Sequence, residues 1–173
     1  VGALADDTLR QSLRDQAAQH ATQLQVVSGA VGALDALSAA RAGGLRSVLY
    51  RGIKPPVGWL GSPAEERLDL ANLKTASTHF RGTARDAALA YPKNANVAAA
   101  IALAGAGFDE TQVELIADPR AHLNRHEINV SGEFGRFSFV IDGQALPDNP
   151  KSSALTAMSV VSALGRLNAA IVV

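Results

Sequence analysis

Two adjoining segments in the C-terminal half alternate polar and apolar residues, and this alternation constrains the fold more than any other feature. In a strand, every second residue from Asn124 to Val130 would lie on one face, which is mainly apolar and includes His126. Past a turn near Gly132, alternate residues from Phe137 to Ile141 repeat the pattern. The two segments therefore predict an antiparallel pair of strands with one face on a core and the other in water.

His126 places an imidazole on the buried face of this predicted pair. Held beside Asn124, a histidine there could have its pKa tuned near neutrality and act as a general acid or base. A single histidine on an apolar face is, however, more often a hydrogen-bonded core residue than a catalyst. Both interpretations stay open from the spacing alone.

The N-terminal part has the pattern of an α/β unit. Asp6 and the leucines that follow it predict an amphipathic helix to about His20, and residues 24–27 predict a short strand. Residues 28–33 then form a glycine-containing turn into a helix that ends at Gly43. This order is typical of the ligand-binding edge of an open parallel sheet, although the glycines could equally serve only a close turn. The G-x-G-x-x-G fingerprint does not occur in the chain.

The middle of the chain alternates short strands and helices, as expected for an α/β protein. The predicted strands are residues 47–51, 75–81 and 111–117, and the predicted helices are residues 64–70, 83–89 and 97–104. Prolines fix an extended path for residues 54–63, which contain Trp59, the only tryptophan. That segment could be a linker, a lid over a site or an interface arm.

Two asparagines precede the apolar helix at residues 97–104. Asn94 is a natural N-cap, because its side chain can accept from the first free backbone amides. Asn96 would then lie in the first turn, where the amides and the positive end of the helix dipole could meet a polar ligand. Alternatively, one or both asparagines simply cap the helix.

The last part of the chain predicts a helix with a single apolar stripe, after a capping segment at residues 149–153. The stripe comprises Leu155, Met158, Val161, Leu164, Leu167 and Ile171. We expect it to be a core surface or a dimer seam rather than a ligand surface.

Composition excludes several functional classes. The 16 Lys and Arg balance 16 Asp and Glu, so no basic surplus indicates a nucleic-acid or membrane partner. The chain has no Cys, and its four His have no paired metal-ligand spacing beyond His122 and His126, so we predict no metal. The longest apolar run, residues 97–108, is too short to cross a bilayer, and we expect a cytoplasmic protein.

Six motifs occur in one order over essentially the whole chain. They are Ser28-Gly29-Ala30-Val31-Gly32, Lys54-Pro55-Pro56, Tyr91-Pro92-Lys93-Asn94-Ala95-Asn96-Val97-Ala98, Asp118-Pro119 with Asn124-x-His126, Gly132-Glu133-Phe134-Gly135, and Asn149-Pro150-Lys151-Ser152-Ser153-x-Leu155-Thr156-Ala157. In combination and spacing they resemble the L-aspartate dehydrogenase family.

The resemblance implies an enzyme that interconverts L-aspartate with iminoaspartate, or with oxaloacetate plus ammonia, in a step linked to NAD biosynthesis. It implies NAD or NADP as the hydride carrier and a homodimer as the assembly. By match of motif, His126 takes the catalytic position, and Ala30 and Asn96 take the cofactor-contacting positions.

A dicarboxylate substrate also requires cationic partners. Lys93, Arg81 and Lys151 lie near the motifs, but each is equally expected as a surface charge or a helix-end partner. We therefore assign none of the three to the site.

The fold class that the resemblance implies is α/β: the remainder of a Rossmann NAD(P)-binding domain, then an α+β catalytic and dimerisation domain with a mixed sheet. We assign residues 1–45 to the first domain, residues 46–152 to the second, and residues 153–173 to a C-terminal helix that could pack back on the Rossmann part. The sequence opens at Val1 without an initiator Met, and the glycine-rich phosphate turn and the acidic ribose-binding residue that the resemblance implies should lie before Val1. We therefore expect a fragment, in which the choice between NAD and NADP is not visible.

Two other functions stay open. A nicotinamide-dependent reductase of another small amino or imino acid would share this layout, as in dihydrodipicolinate reductase and homoserine dehydrogenase, although Asn124-x-His126 fits those enzymes less well. A non-catalytic dimerisation or ligand-sensing domain could have kept the same fold.

Overall fold

A five-stranded mixed sheet forms the centre of the protein in the computed structural model, which describes residues 1–146 and 149–171. Its strands are β1 (Leu45–Lys54), β2 (Ser77–Thr83), β3 (Thr111–Ala117), β4 (Asn124–Gly132) and β5 (Gly135–Gly143), in the spatial order β2-β3-β1-β4-β5. Strands β1 and β3 are parallel, and every other pair in the sheet is antiparallel. A separate two-stranded sheet pairs β6 (Ala145–Leu146) with β7 (Asn149–Ser153).

Five α-helices complete the described part of the chain. They are α1 (Asp7–Gln19), α2 (Leu34–Ala42), α3 (Ala84–Ala90), α4 (Asn96–Ala104) and α5 (Ala154–Arg166), with short 3₁₀ turns at Gly2–Ala5, Pro56–Trp59 and Pro63–Glu66. Helices α3 and α4 pack on each other and on β3. The mixed sheet with its helices confirms the predicted α/β class.

The alternating segments form the predicted antiparallel pair. His126 lies opposite Ile141 and Val130 lies opposite Phe137 in the register of β4 and β5. Along β4 the residues of the His126 face are buried and those between them are more exposed, because one face of the sheet meets the core and the other meets water. The prediction for this hairpin is confirmed.

The core lies between this face of the sheet and helices α3 and α4. Five of the nine residues of α4 are buried, and four of these five are alanines, so the helix can approach its neighbours closely on several sides. The largest fully buried side chains include Trp59, Tyr50 and Tyr91. Trp59 therefore anchors its proline-rich segment in the core rather than leaving it as a free linker or arm.

Residues 24–27 do not form the predicted strand. They run without regular secondary structure between α1 and the turn at Gly29, and no described strand lies beside them. A strand needs a neighbour for its backbone hydrogen bonds, so apolar residues alone do not produce one here. The helix predicted at residues 64–70 is likewise shorter, and only the 3₁₀ turn Pro63–Glu66 forms.

Neither asparagine caps helix α4. The N-cap residue is Ala95, which has no side-chain capping bond, and Asn96 is the first helical residue. Asn94 instead accepts a hydrogen bond from the side chain of Lys54. The prediction of Asn94 as the cap is wrong, because a distant lysine competes for its amide oxygen.

The apolar stripe of α5 is exposed. Met158 is 62% exposed and Val161 is 71% exposed, whereas Ser159 and Ala163 are the buried residues of this helix. The stripe is therefore not part of the described core. Residues 149–153, predicted to cap the helix, form strand β7, and its last residue, Ser153, is the N-cap without a side-chain bond.

The helices in the described residues are all too short or too polar to cross a membrane.

Candidate active site

The carboxyl ends of the parallel strands β1 and β3 form one edge of the sheet. Lys54 ends β1 opposite Ala117, which ends β3, and the backbone amide of Asp118 donates to the Lys54 carbonyl at 2.9 Å. Strand β4 is antiparallel to β1 and begins at the same edge with Asn124. Open α/β sheets bind ligands at such an edge.

His126 lies two residues into β4 from this edge, directly opposite Gly52 of β1. Its side chain is buried at 5% exposure. Its Nδ1 atom is 2.9 Å from the phenol oxygen of Tyr50, which is itself fully buried. The predicted catalytic residue is thus also a hydrogen-bonded residue of the core, and its contacts alone do not choose between the two interpretations of the sequence.

Burial, and then the nearby positive charge of Lys54, lowers the pKa of His126 to about 4. The pattern alone suggested a pKa near neutrality, and the difference arises because that expectation included neither the depth of burial nor the lysine. At neutral pH the imidazole is uncharged, so it can accept a proton.

Tyr50 determines which nitrogen of His126 can accept that proton. Burial raises the pKa of the Tyr50 phenol, so the phenol keeps its proton at neutral pH. If Nδ1–H donates to the phenol oxygen, then Nε2 holds the free lone pair. In the opposite arrangement the phenol donates to Nδ1, and Nε2 holds the proton. Only the first arrangement makes Nε2 a base.

Lys54 is a residue of the site that the sequence analysis did not assign. Its Nζ atom donates to Asn94 Oδ1 at 3.1 Å and lies 5.0 Å from the centre of the Trp59 ring. The signal that could have found it is its position, because it ends a buried strand at the ligand edge of a parallel pair.

The three cations considered from the sequence occupy other positions. Arg81 pairs with Glu114 at 3.1 Å, and the side chain of Lys93 is exposed. The side chain of Lys151 lies outside the described residues.

Asn96 stands exposed at the start of α4. Its Oδ1 atom accepts from the backbone amide of Gly2 at 2.9 Å. Asn94, only two residues earlier, contacts Lys54. The start of α4 therefore lies at the same sheet edge as Lys54.

Ala30 lies in the turn between residues 22–28 and α2. Gly29 precedes it with a left-handed backbone conformation, φ +65°, and the amide of Gly29 donates to Ser159 Oγ of α5 at 3.1 Å. No hydrogen bond within the described residues joins Ala30 to Asn96 or His126. The structure thus brings His126, Lys54 and the start of α4 to one edge, and it places Ala30 on a separate turn.

A second buried histidine resembles His126 in its contacts. His79 Nδ1 is 3.0 Å from the Tyr91 phenol oxygen, and its ring meets the edge of Trp59 at 4.4 Å between centres. Burial, and then the charge of Arg67, lowers the pKa of His79 to about 4. Periodicity did not single this residue out, because its strand shows no clean alternation.

No group of three His, Cys, Asp or Glu side chains within the described ranges could hold a metal ion. The absence of a metal site stays a prediction of the sequence analysis.

Known proteins match most of this chain. The family model described as "Aspartate dehydrogenase, C-terminal" matches residues 35–167. The L-aspartate dehydrogenase of Ruegeria pomeroyi is 60% identical over 99% of this chain and 62% of its own length. That of Pseudomonas aeruginosa is 52% identical over 95% of this chain and 62% of its own length.

A solved structure has the same fold. The crystal structure of aspartate dehydrogenase from Thermotoga maritima matches with a TM-score of 0.80 and 29% identity, over 99% of this chain and 65% of that one. The chain thus spans about 62% of the length of the first curated relatives. With a family model over residues 35–167 and a relative at 60% identity, the chain belongs to the aspartate dehydrogenase family.

Proposed function

We propose that the protein containing this chain is an NAD(P)-dependent L-aspartate dehydrogenase, which oxidatively deaminates L-aspartate to iminoaspartate and then to oxaloacetate plus ammonia. The relatives with 50–60% identity have this name. The observation that supports the proposal most is His126, a buried and uncharged imidazole at the ligand edge of the sheet.

The dinucleotide would accept the hydride from the amino-bearing carbon of aspartate. The residues present fit its nicotinamide end. A side chain added at Gly29 or Gly32 would meet nothing within 4 Å, so a flat ring could approach the backbone around Ala30. Asn96 is exposed and does not cap its helix. Its Oδ1 accepts from Gly2, so its Nδ2 group could donate to the carboxamide oxygen of the ring and orient it.

The proposed role of His126 is proton transfer. The ammonium of aspartate must lose a proton before hydride can leave the carbon beside it, and Nε2 of His126 would accept that proton. After the oxidation, a water molecule adds to the imine carbon. Once the imidazole has released the first proton to solvent, it would accept a proton from this water and return it to the amine. The amine then leaves as ammonia, while the hydroxyl of the adduct gives its proton to the imidazole as the carbonyl forms. The imidazole thus passes two protons to solvent for each hydride removed, one from the substrate ammonium and one from the added water.

The same proposal includes an assembly and a metabolic role. We infer a homodimer, because helix α5 has an exposed apolar face. We also infer a place in NAD biosynthesis, where iminoaspartate would be the useful product. The rates of reduction of NAD and of NADP decide which dinucleotide the protein prefers.

The test is a spectrophotometric assay at 340 nm of the full-length gene product, with L-aspartate and either NAD or NADP. We expect cofactor reduction, and we expect His126→Ala to lower turnover on the order of 10²–10⁴-fold with little change in cofactor affinity. His122→Ala is the matched control, since His122 is an exposed histidine just before β4.

Two outcomes would contradict the proposal. Unchanged turnover in His126→Ala would remove His126 from the mechanism. If the wild-type protein reduces neither cofactor, and the reverse assay with oxaloacetate and ammonia is also silent, the aspartate assignment fails.

A further inference from the structure

Lys54 is a half-buried cation held by two neutral groups. Its Nζ donates to the amide oxygen of Asn94 at 3.1 Å and lies 5.0 Å from the Trp59 ring, which is 1% exposed. Both contacts fix the ammonium in place without neutralising it. The ammonium therefore stays at the sheet edge as a positive charge.

No carboxylate of the described residues pairs with Lys54, whereas two arginines on the strands of the sheet have such partners. Arg51 pairs with Glu114 at 2.8 Å, and Arg125 pairs with Asp142 at 2.7 Å. Removing a charge from water is costly unless an opposite charge compensates it. Burial accordingly lowers the pKa of Lys54, and a bound anion would reverse that effect.

The position of this charge matches where the reaction would occur. Lys54 ends β1 two residues after Gly52, which faces His126 across the ladder. It is close enough to His126 for its charge to lower the imidazole pKa. Through Asn94 it also contacts the loop that leads into α4 and Asn96.

We propose that the Lys54 ammonium binds a carboxylate of the dicarboxylate substrate and so places the substrate beside His126. This inference rests on the proposed function and names the cationic partner that a dicarboxylate requires. It also couples binding to catalysis. A carboxylate on Lys54 offsets the charge that now disfavours protonated His126, so the imidazole accepts a proton more readily once substrate is bound.

The kinetic test compares Lys54→Met with Lys74→Met in the full-length gene product. Lys74 is an exposed lysine in the loop before β2. Lys74→Met therefore removes the same charge as Lys54→Met, but at a position away from the sheet edge. We expect Lys54→Met to raise the KM for L-aspartate on the order of 10–100-fold, the effect of losing one charge-assisted hydrogen bond. We expect a smaller change in kcat and none in the KM for the dinucleotide.

A binding measurement gives a second readout that does not depend on turnover. Succinate, an unreactive dicarboxylate, is titrated into the wild-type protein while the Cε1–H resonance of His126 is followed by NMR. We expect saturable binding, with the His126 pKa raised in the complex. The Lys54→Met variant should lose both effects.

A third variant covers the case in which Lys54→Met does not fold. Lys54→Gln keeps a donor for Asn94 but has no charge, so it should fold with wild-type stability and still bind succinate at least tenfold more weakly. A Lys54→Gln protein with wild-type affinity for succinate and wild-type KM for L-aspartate would overturn the proposal.

The two proposals fail separately. If the wild-type protein binds succinate through Lys54 but does not oxidise L-aspartate, the anion site stands and the aspartate assignment fails. If the wild-type protein oxidises L-aspartate and neither Lys54 variant changes the KM for L-aspartate, the assignment as a dehydrogenase is supported. Lys54 then has no part in substrate binding. Failure of the wild-type protein to bind succinate at all would also overturn the role of Lys54.

Discussion

At the scale of the residue, the protein contains two histidines buried against tyrosines in similar ways. His126 contacts Tyr50 at 2.9 Å, and His79 contacts Tyr91 at 3.0 Å. Burial lowers the pKa of both imidazoles to about 4. They differ in surroundings, because His126 lies next to the cation at the ligand edge, whereas Nε2 of His79 is enclosed without a partner in the described core.

These two buried histidines should make the free energy of unfolding depend on pH. Between about pH 6.5, the ordinary value, and pH 4, the unfolded chain binds a proton on each histidine and the folded chain does not. The free energy of unfolding should therefore fall as the pH falls through this window, by at most about 3 kcal/mol for each histidine. Above about pH 6.5 neither histidine makes the free energy of unfolding change with pH.

Urea denaturation of the full-length gene product at pH 7, 6 and 5 measures this dependence. As the pH falls over that range, the free energy of unfolding of His79→Gln should decrease less than that of the wild type. His20→Gln is the control, because the His20 side chain is exposed. Equal slopes for wild type and His79→Gln would contradict the assignment of His79 to this effect.

At the scale of the element, strand β1 is shaped around the contact between Tyr50 and His126. A side chain at Gly52 would place its Cβ 2.7 Å from the Tyr50 phenol oxygen and 3.3 Å from Leu115 Cδ2. Glycine is therefore needed at this position for space and not for an unusual backbone angle. The absent side chain leaves room for the phenol to reach His126 across the ladder.

Replacing Gly52 with Ala should disturb the candidate active site more than the fold. The added methyl group displaces a buried phenol, which we expect to cost about 1–3 kcal/mol and to lower turnover at least tenfold by moving the partner of His126. Chemical denaturation and the 340 nm assay measure the two effects.

Gly165→Ala is the matched control for this substitution. Gly165 lies inside α5 with nothing near its missing side chain, so alanine there should stabilise the helix by up to about 1 kcal/mol. Wild-type turnover in Gly52→Ala would show that Tyr50 can move without affecting His126.

At the scale of the whole molecule, the exposed apolar face of α5 is the feature that the described fold leaves uncovered. Leu155, Met158, Val161 and Leu164 are all at least 36% exposed. The helix is attached through its other side, where Ser159 accepts from Gly29. A contiguous apolar surface of this kind in a protein usually meets a partner or another domain.

We expect this face to be covered in the full-length gene product. Val161→Glu should lower the midpoint of thermal unfolding or shift the oligomer toward monomer in size-exclusion chromatography with light scattering, because it buries a charge. Ser162→Glu adds the same charge one residue along and should change neither. Identical behaviour of both variants and the wild type would indicate that the face stays in water.

Local patterns predicted many of the elements. The hairpin of β4 and β5 and the strand β3 at Thr111–Ala117 agree with the structure, because strand alternation depends on neighbours in sequence. The strand predicted at residues 24–27 does not form, because a strand needs a pairing partner that is distant in the sequence. For a related reason the α5 stripe was predicted only as a core surface or a dimer seam, because periodicity shows that a face is apolar but not what covers it.

The sequence by itself determined the α/β class, the hairpin and the family, since each depends on residue order and local spacing. Tertiary structure decided the chemistry of the site. Lys54 and His126 are 72 positions apart, and only the register of β1 against β4 brings them to one sheet edge. The pKa of His126 likewise depends on burial and on that lysine's charge, which act through space and leave no periodic signal in the chain.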